Sequence, residues 1–468
     1  MSNHRTPLTY HIETWGCQMN VHDSEQLADA LERVGYSRAE GPESASVIVL
    51  NTCSVREKAA QKVFTRLGRL AGLKSGGRAL RPPNGKALHE PLLCVAGCVA
   101  QQEGQEIIER QPLVDLVLGT RRTFEIGDLV ERVRNGEGPL ISTDLETAVI
   151  EPPDEPANRL SPWKAYVTII EGCDNFCAYC IVPLVRGREK SRDSGSILEE
   201  VSRLVASGVL EIELLGQNVN SYRDDQGVDF TELLRRVAET ANLRRLRFTV
   251  SHPRDFTPRL ASLISKIPII CRHLHLPLQS GSNRVLKAMG RGYTREQYLE
   301  KLTHLRSLIP EITLSTDLIV GFPGETTEDF QDTLSMLKTV RYDATFSFMY
   351  NPRPGTRAAQ LKDDVSDDEK HHRLQELLKL QKAIQTDLHR SLVGCELEVL
   401  VEGESRRGRG QFFGRDGGNR VVNFNYAPQA LKVTGDPADP RGRLVKIKVT
   451  KAHPNSLSGT LVGFEDMP

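Results

Sequence analysis

No run of eighteen apolar residues occurs in this chain, so a membrane-spanning helix is not expected. The first residues, Met1 to Pro7, are polar and lack the apolar core of a signal peptide. A charge excess of either sign is missing too. The 61 basic residues balance 61 acidic ones, which argues against indiscriminate nucleic-acid binding and leaves room only for a local basic surface. Cysteine is scarce and odd in number, nine in 468 residues, so a disulfide scaffold is not expected. The expectation is a reducing, cytoplasmic setting in which thiols are kept as metal ligands. The length allows roughly two to four domains with buried cores.

Three of the cysteines crowd into one stretch, Glu171-Gly-Cys173-Asp-Asn-Phe-Cys177-Ala-Tyr-Cys180. The spacing is C-x3-C-x2-C. It follows an apolar strand candidate, Ala165–Ile170, which puts the thiols on a loop at the strand's C-terminal end. Thiolates this close can converge on one metal centre. A structural zinc site takes four ligands, and no fourth Cys or His follows nearby. Three cysteines suit a cubane iron–sulfur cluster with one iron left open to a substrate or cofactor. Zinc completed by a remote histidine stays as the competing reading.

Upstream, strands and helices alternate. Strand candidates are His11–Trp15, Ala45–Leu50, Pro91–Ala96 and Val114–Leu118, with helices at Ser24–Val34, Arg56 to about Leu70, and Glu103–Arg110. The pattern predicts a doubly wound parallel α/β domain. The Gly/Pro-rich basic stretch Lys74–Lys86 reads as a surface excursion. Cys17, Cys53 and Cys98 each follow one of the first three strands, and parallel strands bring such loops to one edge. A second cluster with an open iron is therefore expected there. Burial as small core residues is the alternative; Cys94, inside the apolar run, is assigned to the core.

Pro-rich, acidic Glu151–Arg159 reads as a linker. Beyond it, six strand candidates alternate with helices: Ala165–Ile170, Glu211–Leu215, Arg247–Val250, His273–Leu276, Thr313–Val320 and Thr345–Tyr350. Helices are expected at Ser196–Ser207, Phe230–Thr240, Arg295–Ser307 and Glu328–Thr339. This suits a partial (β/α)6 barrel working at its strand C-termini. Loops at that face carry Gly216, Gln217 and Asn218, then Ser251, then Gln279, all suited to a cofactor or substrate; capping or turn roles compete. Cys271 is expected to be structural, and His371 and His372 to sit on a solvated face.

After a long amphipathic helix, Glu369 to about His389, five short strands with Gly turns predict a small β-barrel. There Arg406, Arg407, Arg409, Arg415 and Arg420 interleave with Phe412, Phe413 and Phe424. Arginine can grip phosphate and exposed aromatics can stack bases, so RNA contact is expected, against a plain solvated surface.

Taken together, the motifs resemble the methylthiotransferase branch of the radical S-adenosylmethionine (SAM) enzymes over roughly Tyr10 to Gly463. The resemblance rests on Trp15-Gly-Cys-Gln-Met-Asn20, Asn51-Thr-Cys-Ser-Val-Arg56 and Gly97-Cys-Val-Ala-Gln101. In the barrel it rests on the C-x3-C-x2-C loop, Leu215-Gly-Gln-Asn-Val-Asn-Ser-Tyr222, His275-Leu-Pro-Leu-Gln-Ser-Gly281 and Ile319-Val-Gly-Phe-Pro-Gly-Glu-Thr326. At the C-terminus it rests on Asn419-Arg-Val-Val-Asn-Phe424.

The resemblance implies an N-terminal cluster domain (8–150), a radical SAM barrel (159–391) and a C-terminal TRAM domain (392–464) that binds RNA. It implies two [4Fe-4S] clusters, one on Cys173, Cys177 and Cys180 that binds and cleaves SAM, the other on Cys17, Cys53 and Cys98 that carries sulfur. Tyr179 takes the place of an aromatic beside the adenine. The implied reaction replaces the C2 hydrogen of an N6-dimethylallyladenosine by a methylthio group, next to the anticodon of a tRNA. Two relatives that act on threonylcarbamoyladenosine in tRNA, or on a ribosomal-protein aspartate, give the alternatives. A deoxyadenosyl radical answers the need to break an unactivated C–H bond, with the base swung out of its stack. The implied partners are the anticodon stem-loop, a reductant such as flavodoxin or ferredoxin and a sulfur donor; a monomer is expected. An iron–sulfur electron carrier and a zinc-stabilised RNA-binding protein are the rival classes.

Overall fold

Val47-Ile-Val-Leu50 and Leu93-Cys-Val-Ala96 are apolar at every position, as strands covered on both faces must be. In the computed structural model, which describes residues 8–54, 59–74, 90–145, 159, 161–249, 251–405, 410–426 and 439–464, they form the centre of a sheet. The chain divides into two units. The first comprises Met1–Leu160, Ile170–Asp174 and Cys180–Arg192, and the second Ser161–Ile169, Asn175–Tyr179 and Asp193–Pro468.

The first unit carries six parallel strands in the order Ser37–Arg38, Thr9–Trp15, Val47–Thr52, Leu92–Gly97, Leu116–Leu118 and Leu140–Ser142. Alternate side chains feed two cores. Val47, Val49, Cys94 and Ala96 pack under helices Gln18–Arg33 and Ile126–Arg134. Ile48, Leu50, Leu93 and Val95 pack with Val63, Leu67, Leu70 and Ile107 on the other face. This is the doubly wound arrangement, and Cys94 is core.

Several boundaries differ from expectation. The first helix begins at Gln18, not Ser24, because Cys17 and Asn20 cap it reciprocally and so start it directly after the strand. The helix expected over Glu103–Arg110 is two, Cys98–Glu103 and Gln105–Arg110, broken at Gly104 (φ +49°). The helix expected from Arg56 is described over Ala59–Lys74. Residues 75–86 of the basic excursion and 151–158 of the linker lie outside the described residues.

In the second unit six parallel strands stand in two hydrogen-bonded threes. Lys164–Thr168, Glu211–Leu215 and Arg245–Thr249 form one; His273–His275, Thr313–Val320 and Ala344–Met349 form the other. A bridge between Leu246 and Ile270 joins them. Helices missed in the sequence, Pro258–Lys266 and Asn283–Ala288, complete the array. Asp367–Ser391 leads into a closed five-stranded barrel, ordered Glu396–Glu404, Gln411–Asp416, Val421–Asn425, Leu457–Phe464 and Leu444–Ala452.

A buried charge network fastens the small barrel to the strand N-termini of the larger one. Arg247 donates to the carbonyls of Asp416 (2.6 Å) and Gly417 (3.3 Å) and pairs with Glu211 at 3.0 Å. Arg245 donates to the carbonyls of Arg415 and Glu398, both at 2.8 Å, and Thr313 to that of Gly418 at 2.9 Å. The loop Asp416–Arg420 thus closes the floor of the larger barrel, leaving its strand C-termini as the working end.

Candidate active site

Cys17, Cys53 and Cys98 come together at the C-terminal edge of the N-terminal sheet. Cys17 lies just past the strand ending at Trp15 and caps the first helix, Cys53 follows the strand ending at Thr52, and Cys98 opens the helix after Gly97. Cys53 is hydrogen-bonded to both other sulfurs. That contact draws the Cys17 thiol down to about 6 and the Cys98 thiol to about 7, against burial, while Cys53 itself is pushed up. The Cys17 thiol also donates to Asn20 Oδ1 at 3.4 Å. Beneath, Asn20 and Asn51 bond at 3.2 Å, and Asn51 donates to Ser24 Oγ at 2.8 Å, which fixes the loops. Gly97 has φ +89°, and a Cβ there would stand 2.4 Å from Asn51 Oδ1, so glycine is required.

Cys98 packs against Ile181 and Val185. Ile181 is the chain neighbour of Cys180, so the segment leaving the second trio touches the first. Cys173 is buried, its amide donating to the Gly187 carbonyl at 3.2 Å. Cys177 is buried too, and its sulfur accepts from Arg291 Nη1 at 3.3 Å. Cys180 is half-buried. Tyr179 packs beside Ala178, Met289, Phe322 and Tyr350, with its hydroxyl 3.5 Å from Arg291. Among the described residues no three His, Cys, Asp or Glu side chains are grouped to hold a metal ion. A single-ion site needs its donors to converge on one point, whereas each cysteine of a cubane meets its own iron. The donor chemistry of both trios, soft thiols with a neighbouring guanidinium, fits such a cluster.

The polar residues of the loops at the barrel's working end are largely buried. Asn218 is spent internally, donating to Asp255 at 2.6 Å and accepting from the His252 amide at 3.0 Å. With its carboxamide bonded at both ends and the side chain buried, Asn218 braces the loop. Gly216 is buried and Gln217 half-buried beside it. Ser251 donates to Asn220 at 3.1 Å. Gln279 is buried at φ +74°, bonded through its backbone to Asp317 and Ile319.

For RNA, Phe412 is corrected: it lies in the core of the small barrel with Phe424 and Tyr426, because strand alternation turns it inward. Its neighbour Phe413 is half-buried and faces outward. Arg420 is paired with Asp416 (2.9 Å) and Asp343 (3.2 Å), and Arg415 with Glu402 (3.4 Å). Arg420 thereby serves the junction described above, while the Arg415 pair lies within the small barrel. Arg406, Arg407 and Arg409 lie outside the described residues. His371 and His372 are exposed, and Cys271 is buried.

Sequence reasoning missed Arg291, Arg186 and Asp23. Arg291 stands in the Gly-Arg-Gly stretch 290–292 and Arg186 in the basic run after Cys180; only their nearness to glycine or cysteine marked them.

Comparison with known families agrees with this arrangement. Residues 9–119 match a model described as uncharacterized protein family UPF0004, 167–337 the radical SAM superfamily, and 390–462 the TRAM domain. A tRNA-2-methylthio-N(6)-dimethylallyladenosine synthase of Syntrophotalea carbinolica is 44% identical over 97% of this chain and 100% of its own. Proteins of the same name from Geotalea uraniireducens (98% of this chain, 99% of theirs) and Geobacter sulfurreducens (97% of each) are both 46% identical. Among solved structures, the radical SAM methyltransferase TsrM of Kitasatospora setae, with tryptophan and a SAM analog bound, superposes with a TM-score of 0.53. It does so at 14% identity, covering 86% of this chain and 79% of that one, a likeness of fold. Among the described residues no helix is long and apolar enough to cross a membrane.

Proposed function

The chain belongs to the family of tRNA-2-methylthio-N(6)-dimethylallyladenosine synthases, and on that premise we propose that it methylthiolates C2 of N6-dimethylallyladenosine beside the anticodon of tRNA. The observation that supports this best is the pair of cysteine trios, with Cys98 packed against the residue that follows Cys180. Cys173, Cys177 and Cys180 are the proposed ligands of a [4Fe-4S] cluster that binds SAM, and Cys17, Cys53 and Cys98 those of a second. Bound there, SAM and the two clusters supply the radical and the sulfur that an unactivated aromatic C–H bond requires.

The protein's own part is placement. Arg291 holds Cys177 and Tyr179 in fixed positions, the latter as a platform for adenine. Gly216, Gln217, Ser251 and Gln279 lie on the loops proposed to meet SAM. Phe413 on its outward face is a proposed contact for the anticodon stem-loop, and Arg406, Arg407, Arg409, Arg415 and Arg420 are proposed from the sequence as further contacts. We keep the domain limits at 8–150, 159–391 and 392–464, and place the protein in the cytoplasm as a monomer served by flavodoxin or ferredoxin and a separate sulfur donor.

Mass spectrometry of tRNA nucleosides from cells lacking this protein tests the reading. Loss of the methylthio group with the dimethylallyl group retained is the expected result; unchanged methylthioadenosine would remove the proposal, and loss from threonylcarbamoyladenosine would redirect it.

A further inference from the structure

The segment Ile181–Arg188 ties the surroundings of the two trios together. Its first residues, Ile181 and Val185, touch Cys98. Arg186 then forms a buried two-pronged ion pair with Asp23, Nη2 to Oδ2 at 2.5 Å and Nη1 to Oδ1 at 3.5 Å. Asp23 lies in the helix that Cys17 caps. The next two residues lie against the backbone before Cys173: a Cβ on Gly172 (φ +77°) would stand 2.1 Å from the Arg188 carbonyl. Thr120 and Arg121 hold the segment from the sheet side, donating to the carbonyls of Val185 (2.6 Å) and Arg188 (2.8 Å).

A buried guanidinium is costly, and its partner Asp23 alone would not require it to stand beside two cysteines. Replacing both by apolar side chains would serve stability as well. The cation directly follows Val185, which packs on Cys98, whereas the carboxylate is carried on the helix that Cys17 caps. A four-iron cluster with three thiolate ligands is anionic, and more so when reduced or when carrying a sulfide. Buried positive charge beside it favours the more negative state.

We propose that Arg186, oriented by Asp23, is the positioning residue that compensates the negative charge of the sulfur-carrying cluster on Cys17, Cys53 and Cys98. The proposal rests on the second-cluster reading above, deepens it, and needs no contact with tRNA or SAM.

The test uses the full-length chain carrying Cys173→Ala, Cys177→Ala and Cys180→Ala, reconstituted anaerobically with iron and sulfide, so that only the second cluster gives a signal. Its midpoint potential is measured by paramagnetic resonance during a redox titration. Arg186→Gln should move the potential to more negative values with iron content unchanged. Arg186→Lys, which keeps the charge, should restore most of the shift, and Asp23→Asn should move it the opposite way. Equal potentials in the parent and Arg186→Gln, or no better a value for lysine than for glutamine, would overturn the proposal. Should Arg186→Gln not fold, the sign of the Asp23→Asn shift decides: a positive shift supports the proposal, and no shift or a negative one sinks it. A parent without an iron–sulfur spectrum removes the second-cluster reading itself; an iron-loaded parent indifferent to Arg186 and Asp23 removes only this inference.

Discussion

Arg291 donates one guanidinium proton to the sulfur of Cys177 at 3.3 Å and another to the carbonyl of Pro277 at 2.8 Å, tying the cysteine loop to the loop after strand His273–His275. A third bond, from Nε to the Tyr293 hydroxyl at 3.0 Å, fixes the plane. One buried cation thus sets the position of a proposed iron ligand.

Arg291→Met should therefore strip the cysteine loop of its anchor. We expect 5′-deoxyadenosine release to fall at least tenfold, and stability by roughly 1 to 2 kcal/mol for the lost bonds to the Pro277 carbonyl and the Tyr293 hydroxyl. Arg291→Lys should recover stability more than activity, since an ammonium cannot span three acceptors in one plane. SAM-cleavage assays beside urea titration separate the two.

Replacing Cys17, Cys53 or Cys98 by alanine should halve the iron of the reconstituted protein, from about eight to about four atoms per chain. Methylthiolation should vanish while SAM cleavage persists. Iron analysis and product chromatography check this; equal loss of cleavage in all three variants would contradict the division of labour.

Stability should decline in acid in two windows. Burial, with Arg291, Arg254 and Lys301 nearby, pushes His252 down to about 2, and burial beside Arg247 pushes His273 well below its usual range. Both stay neutral in the fold but take up a proton when unfolded below about pH 6.5. Stability present above that value is thus lost as pH falls, at up to about 1.4 kcal/mol per pH unit for each. Glu211 opens the second window: burial raises it, but Arg247, Lys164 and Arg245 hold it near 2. Its contribution, present above about pH 4, is lost below that. Urea midpoints at pH 7.5, 6 and 5 should fall in order, and His252→Asn should flatten the slope.

Arg247→Met leaves Glu211 buried beside two remaining cations and strips two carbonyls of the floor loop of their donor. A loss of roughly 3 to 5 kcal/mol is expected. Differential scanning calorimetry should show the lower Tm, and limited proteolysis should release the C-terminal barrel first.

Spacing singled out the six cysteines proposed as cluster ligands, because a strand followed by Cys repeats three times and C-x3-C-x2-C is compact. Strand Glu211–Leu215 and strand Thr313–Val320 match their expected limits, since apolar runs bounded by turns leave little choice. Phe412 could not be told from Phe413 without register: one residue's shift exchanges core for surface. That Arg415 and Arg420 are paired with carboxylates was not legible either, because charge along a sequence does not reveal Glu402 on the neighbouring strand or Asp343 across the junction. Arg186 and Asp23 stand 163 residues apart, and no local pattern couples them.

The floor of the larger barrel is sealed by main-chain oxygens borrowed from its C-terminal neighbour, so the two cannot be exchanged piecemeal. A chimera that grafts a foreign RNA-binding module onto this scaffold must bring a hairpin presenting carbonyls to Arg245 and Arg247, or neutralise those arginines together with Glu211. The small barrel and its seat are therefore exchanged as one package that begins at the first of those two arginines.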